Sequence, residues 1–110
     1  MLTISSAHQH QGGALVIALT GRIDASSAKD LEQQCLQWIG GGETQLVFDF
    51  SAVSYISSAA LRVFLLVAKR LDTVKGSVRL CALNNTLRDV FDISGFSKLF
   101  TITSTVEEAL

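Results

Sequence analysis

Proline is missing from this 110-residue chain, which also has two cysteines, two histidines, one tryptophan and one tyrosine. With no proline to lock φ, glycine and polar clusters must punctuate the fold. Cys35 and Cys81 are widely separated and form no disulfide framework or zinc-ligand spacing, so both are expected as free, mostly buried thiols. Excess charge is absent too, with 9 basic and 10 acidic residues giving a formal charge of −1. That balance offers no electrostatic footprint for nucleic acid, and no basic run suits a membrane surface. Apolar runs such as 63–68 fall far short of the ~20 residues needed to cross a bilayer. No charged segment followed by an apolar one opens the sequence, so neither a signal peptide nor membrane insertion is expected. These absences suit a cytoplasmic protein.

Catalytic patterns are also lacking. No Ser/His/Asp set is apparent, because His8 and His10 sit in a polar N-terminal stretch, where surface histidines are the expectation. Paired carboxylates at a plausible cleft are missing, and neither phosphate-binding glycine motif occurs. Gly40, Gly41 and Gly42 follow a helical pattern rather than a strand. An enzyme is therefore not expected, nor a cofactor or resident metal. The chain is 48% apolar, and its length buries about two-thirds of the unfolded surface, enough for a single domain over 1–110.

The pattern predicts the order β-β-α-β-α-β-α-β-α. Residues 2–6 and 14–20 read as strands joined by a turn at 9–13, with Gly21 ending the second. Residues 26–39 form an amphipathic helix through Ala28, Leu31, Cys35 and Trp38, with Ser26 or Ser27 as its cap. Residues 45–50 are a third strand. Residues 58–71 are an apolar helix with a stripe of Leu61, Phe64, Leu65, Ala68 and Leu71, widened by Val63, Leu66 and Val67. A strand at 77–83, a helix from Asn84–Thr86 to Ile93 ended by Gly95, a strand at 99–103 and a short helix from Ser104 complete the chain. Strands alternating with helices after an opening hairpin imply an α/β fold with a mixed sheet and right-handed crossovers. Leu2 and Ile4 would lie at a free sheet edge, open to pairing with another copy.

The densest information lies in Asp49-Phe-Ser-Ala-Val-Ser-Tyr-Ile-Ser-Ser-Ala-Ala-Leu-Arg62, read as a buried strand, a polar turn and a sudden helix. Ser57 and Ser58 fall where the helix begins. Serine is a common N-cap, so a plain structural role is the first reading. A helix N-terminus also tolerates negative charge, so a serine there can accept phosphate without unfolding the domain.

This run resembles the signature of the STAS domain family, the anti-sigma-factor antagonists of bacteria. It matches in Asp49, Ser51, Val53, Tyr55, Ile56, Ser57, Ser58, Ala59, Ala60 and Leu61. Two flanking segments agree in order: Leu19-Thr-Gly-Arg-Ile-Asp24, and Val90-Phe-Asp-Ile-Ser-Gly-Phe-Ser-Lys-Leu-Phe100. The resemblance implies a single STAS-like domain. It also implies partner switching. The unphosphorylated protein would bind a serine/threonine-kinase anti-sigma factor, phosphorylation would release it, and a Ser/Thr phosphatase would reset it. The family's phosphoacceptor falls on Ser58. Many members carry Asp where this chain has Ser57, so Ser57 stands as the second candidate. Ala60 stands where glycine is frequent, and alanine suits a helix.

The resemblance puts Gly21, Asp24, Ser57, Ser58 and Arg62 on the partner surface. Asp24 is otherwise a turn or cap carboxylate. Arg62, one turn past Ser58, is within i,i+4 reach of a phosphate, and is otherwise an exposed surface arginine. Asp49 is expected to accept N–H bonds from the following loop. Phe91 and Phe96 are read as packing residues. A different class of function is a non-switching STAS module that docks, or binds a nucleotide or small ligand, in a sensor or transport assembly.

Overall fold

The computed structural model describes residues 2–8 and 13–110. In chain order it comprises β1 (Leu2–His8), β2 (Leu15–Ile23), α1 (Ala25–Gly40), β3 (Gln45–Ile56), α2 (Ser58–Asp72), β4 (Ser77–Cys81), α3 (Asn85–Ile93), a 3₁₀ turn (Phe96–Lys98), β5 (Thr101–Thr103) and α4 (Val106–Ala109). The expected succession of strands and helices is present, with the 3₁₀ turn added. The turn expected at 9–13, Gly13 excepted, and His10 lie outside the described residues.

One sheet runs in the order β1-β2-β3-β4-β5. β1 and β2 are antiparallel, and every later pair is parallel. Each parallel step moves in the same direction along the sheet, so right-handed crossovers place α1, α2 and α3 on one face. On that face Ile17, Leu19, Phe48, Phe50 and Leu80 share one core with Leu31, Phe64, Val67 and Phe91. Edge-to-face phenylalanines tie the layers together, Phe48 to Phe64 at 5.1 Å, Phe50 to Phe91 at 6.3 Å and Phe91 to Phe100 at 6.0 Å. A smaller cluster of Ala14, Val47, Cys81 and Ala109 includes α4.

Both cysteines are buried and free. Burial, with a smaller contribution from Glu32, pushes the Cys35 thiol up to about 12. Burial, with Asp49 and Glu107, pushes Cys81 up to about 11.

Several boundaries differ from expectation. α2 buries Ala60, Leu61, Val63, Phe64, Val67 and Leu71, while Leu65 and Ala68 are half-buried. The helix packs on α1 as well as on the sheet, which turns its buried arc. β4 stops at Cys81 rather than residue 83, because Ala82 takes φ 60° and leaves the extended conformation. The 3₁₀ turn occupies 96–98, so β5 begins at Thr101 rather than 99. α4 begins at Val106 rather than at residue 104, and Thr105 caps it, its Oγ1 accepting the Glu108 N–H at 3.2 Å. Gly76 lets the chain turn tightly into β4, since a Cβ there would lie 2.2 Å from the Thr44 carbonyl oxygen.

The largest difference concerns β2 and β3. β2 continues through Gly21 to Ile23, and β3 continues through the supposed polar turn to Ile56. These two tails pair with each other, Gly21 opposite Val53 and Ile23 opposite Ile56. The register slips between Ala18 and Thr20, and again between Gly21 and Arg22. Gly21, at φ 106°, supplies the backbone conformation that a slip needs.

Candidate functional site

The paired tails of β2 and β3 end side by side, and each feeds a helix. Ile23 leads through Asp24 into α1, and Ile56 leads through Ser57 into α2. The two starts are bonded directly, the Ser57 N–H donating to the Ile23 carbonyl at 2.9 Å. Ser54 Oγ donates to the Gly21 carbonyl at 3.3 Å. A single backbone ladder thus brings Gly21, Asp24, Ser57 and Ser58 together.

Ser57 is the N-cap of α2, with extended φ −89° and ψ 166°. Its Oγ accepts the Ala60 N–H at 3.2 Å. Ser58 is the first helical residue and is exposed. Among the described residues its hydroxyl makes no hydrogen bond. The adjacent serines therefore have different surroundings: one hydroxyl closes the helix, while the other faces solvent at the positive end of the dipole.

Asp24, not Ser26 or Ser27, caps α1. Its Oδ1 accepts the Ser27 N–H at 3.0 Å, and its own N–H donates to Ser27 Oγ at 2.9 Å. Ser27 Oγ also donates to Asp24 Oδ1 at 2.9 Å, and Ser26 Oγ donates to the same oxygen at 3.0 Å. These donors, led by the Ser27 backbone N–H, hold the Asp24 carboxyl down at about 2. The usual capping box has Glu or Gln at its third helical position, and serine there conceals the pattern.

Arg62 is exposed and lies one turn beyond Ser58. It lines an open groove of about 380 Å³ between α1 and α2, floored by Ala25, Ala28, Ala59 and Val63 and edged by Lys29 and Glu32. A smaller hollow of about 250 Å³ lies by Asp24, Ser26, Asp30 and Leu2.

The remaining candidates lie elsewhere or serve packing. Asp49 sits within β3, its Oδ1 accepting the Ser51 N–H at 2.9 Å, so the N–H it holds is in a strand and not a loop. Phe91 is wholly buried, and Phe96 is half-buried against the core. His8 is exposed and contacts Glu43 at 2.5 Å. Among the described residues, no group of three or more His, Cys, Asp or Glu side chains is placed to hold a metal ion. No helix among them is long and apolar enough to cross a membrane.

One element of this surface escaped the sequence reading. Arg22 stacks on Tyr55 across the β2–β3 ladder, its guanidinium carbon 4.3 Å from the ring centroid. Without knowledge that β3 extends past Phe50, nothing in the sequence pairs these residues.

Residues 6–109 match the family model described as the STAS domain. BtrV of Bordetella bronchiseptica, a protein named as an anti-sigma factor antagonist, is 41% identical over 97 residues, covering 88% of this chain and 84% of its own. An anti-sigma factor antagonist structure from Mycobacterium paratuberculosis superposes with a TM-score of 0.82 at 25% identity, covering 97% of this chain and 91% of that one. The phosphorylated form of the Bacillus cell fate determinant SpoIIAA has the same fold, with a TM-score of 0.75 at 23% identity and coverage of 97% and 96%.

Proposed function

Because the chain belongs to the STAS domain family, whose curated relatives here carry the name anti-sigma factor antagonist, we propose that it works by partner switching on Ser58. Unphosphorylated, it binds a serine/threonine-kinase anti-sigma factor through the surface around Gly21, Asp24, Ser57, Ser58 and Arg62. The kinase transfers the γ-phosphoryl group of ATP to Ser58 Oγ, breaking the bond from the γ-phosphorus to the bridging oxygen and releasing ADP and the hydroxyl proton, and the complex separates. A Ser/Thr phosphatase hydrolyses the ester and restores the binding form. The protein is then a substrate of cytoplasmic enzymes, not itself an enzyme.

One observation carries the choice of serine: the Ser57 hydroxyl is engaged with the Ala60 N–H, whereas the Ser58 hydroxyl is exposed. Phosphate on Ser57 would sacrifice the cap. Phosphate on Ser58 places about −1.5 to −2 charges at a helix start, where the dipole favours them. Buried against a partner, the same group meets desolvation and repulsion, and about 2.7 kcal/mol suffices for a hundredfold loss of affinity.

Phosphosite mapping of the protein from growing and stressed source cells tests the reading. Phosphate on Ser58 that varies with condition is the expected result. Deep coverage of this peptide with no phosphate in any condition would favour a non-switching module. Saturable binding of a nucleotide to the isolated chain would then identify its kind.

A further inference from the structure

Arg22 and Tyr55 are both exposed, Tyr55 to 40%. Stacking on the ring covers one face of the guanidinium and restricts its rotamers, while the N–H edge stays free for a planar acceptor. Among the described residues the ion pairs are His8 with Glu43 and Arg88 with Asp92, so Arg22 meets no carboxylate there. Asp24, two residues on, is occupied by Ser26 and Ser27. Arg22 also directly precedes Ile23, whose carbonyl takes the Ser57 N–H. An exposed arginine stacked on an aromatic ring, with no carboxylate partner among the described residues, thus lies on the paired strand tails that run into the starts of α1 and α2. Arginine and tyrosine are also the residue types that most often anchor protein interfaces.

We propose that Arg22, preset by Tyr55, is the specificity-determining cation of this surface and takes a carboxylate presented by the anti-sigma partner. The inference rests on the reading of the chain as a switching antagonist, and deepens it by naming the partner's chemistry. It also gives the switch a sign. Before phosphorylation the partner's acidic patch meets Arg22. Afterwards the same patch faces a phosphate on Ser58, and attraction is opposed by like-charge repulsion.

The test titrates the full chain and its variants with each kinase-type anti-sigma factor encoded in the source genome, expressed and purified, using calorimetry, with folding checked by circular dichroism. Arg22→Glu is expected to weaken binding about thirtyfold or more. Arg22→Lys, which lacks the planar fork, should weaken it about fivefold. Tyr55→Phe should match the parent, because the stack uses the ring and not the hydroxyl, whereas Tyr55→Ala should bind several-fold more weakly. Arg22→Gln replaces Arg22→Glu should the latter melt early. Ring signals of Tyr55, the chain's one tyrosine, should shift when the partner is added. Salt should weaken the parent complex more than the Arg22→Gln complex. If the parent binds and Arg22→Glu binds equally well, the inference is overturned while the antagonist reading stands. If the parent binds none of these kinases, both fall.

Discussion

Ser57 and Ser58 are neighbours with one side-chain type, yet replacing each with alanine should have opposite consequences. Ser57→Ala removes the 3.2 Å bond to the Ala60 N–H. Losing a serine cap and leaving that donor without its partner costs about 1–2 kcal/mol. For 110 residues the unfolding entropy is about 0.23 kcal/mol per degree, so Tm should fall about 4–9 °C. Ser58→Ala removes no bond made among the described residues and gains a little helix propensity, so its Tm should stay within about 2 °C of the parent. Function divides the other way. Ser57→Ala should still be phosphorylated, at Ser58, while Ser58→Ala should bind the kinase partner and accept no phosphate. Scanning calorimetry of both variants, mass spectrometry after incubation with kinase and ATP, and a binding titration of Ser58→Ala with the kinase check these outcomes. Equal melting losses would refute the structural distinction, and phosphate persisting on Ser57 in the Ser58→Ala variant would refute the functional one.

Asp24 supplies a pH signature. Its carboxyl is held at about 2, below its ordinary 3.8, so its contribution to stability is fully present above the ordinary value and is lost as pH falls through about 2. Asp24→Asn keeps a side-chain acceptor for the cap and should flatten that part of the Tm-against-pH curve, whereas an unchanged acid limb would show that the carboxylate is not stabilised there. Gly76→Ala should lower the urea midpoint by the equivalent of about 2 kcal/mol or more, because the new Cβ would lie 2.2 Å from a backbone oxygen. A midpoint unchanged from the parent would refute the close approach of Gly76 to the Thr44 carbonyl.

The helices were readable because each buries one side at a constant period. Ala28, Leu31 and Cys35 keep that spacing in α1, as do Phe64, Val67 and Leu71 in α2. The tail of β3 was not readable, and the reason is local. A half-buried strand announces itself by alternation, but here Val53 and Ile56, three residues apart, are buried and the residues between them are exposed. The register slips opposite Gly21 break the period of two, so the sequence looks like a polar turn. The resemblance to the STAS signature found this segment without knowing its conformation. The ladder then explains what the signature could not: Gly21 and Asp24 belong with Ser57 and Ser58 because two strand ends are zipped together beneath them.

That arrangement also decides where the energy of a phosphorylation switch must reside. Ser58 is exposed and makes no bond among the described residues, so a phosphate there displaces nothing in the free protein. Interaction with the start of the 15-residue helix favours the charge by about 0.3–1 kcal/mol. The fold therefore supplies no driving force against the modification, and any loss of affinity has to arise in the complex, from repulsion and desolvation at the interface. Ser58→Glu tests this directly. Its Tm should equal or slightly exceed that of the parent, while affinity for the kinase partner should drop about a hundredfold, the equivalent of about 2.7 kcal/mol. A variant that loses partner binding together with several degrees of Tm would show that the charge acts by loosening the helix start, and the switch would then belong to the fold and not to the interface.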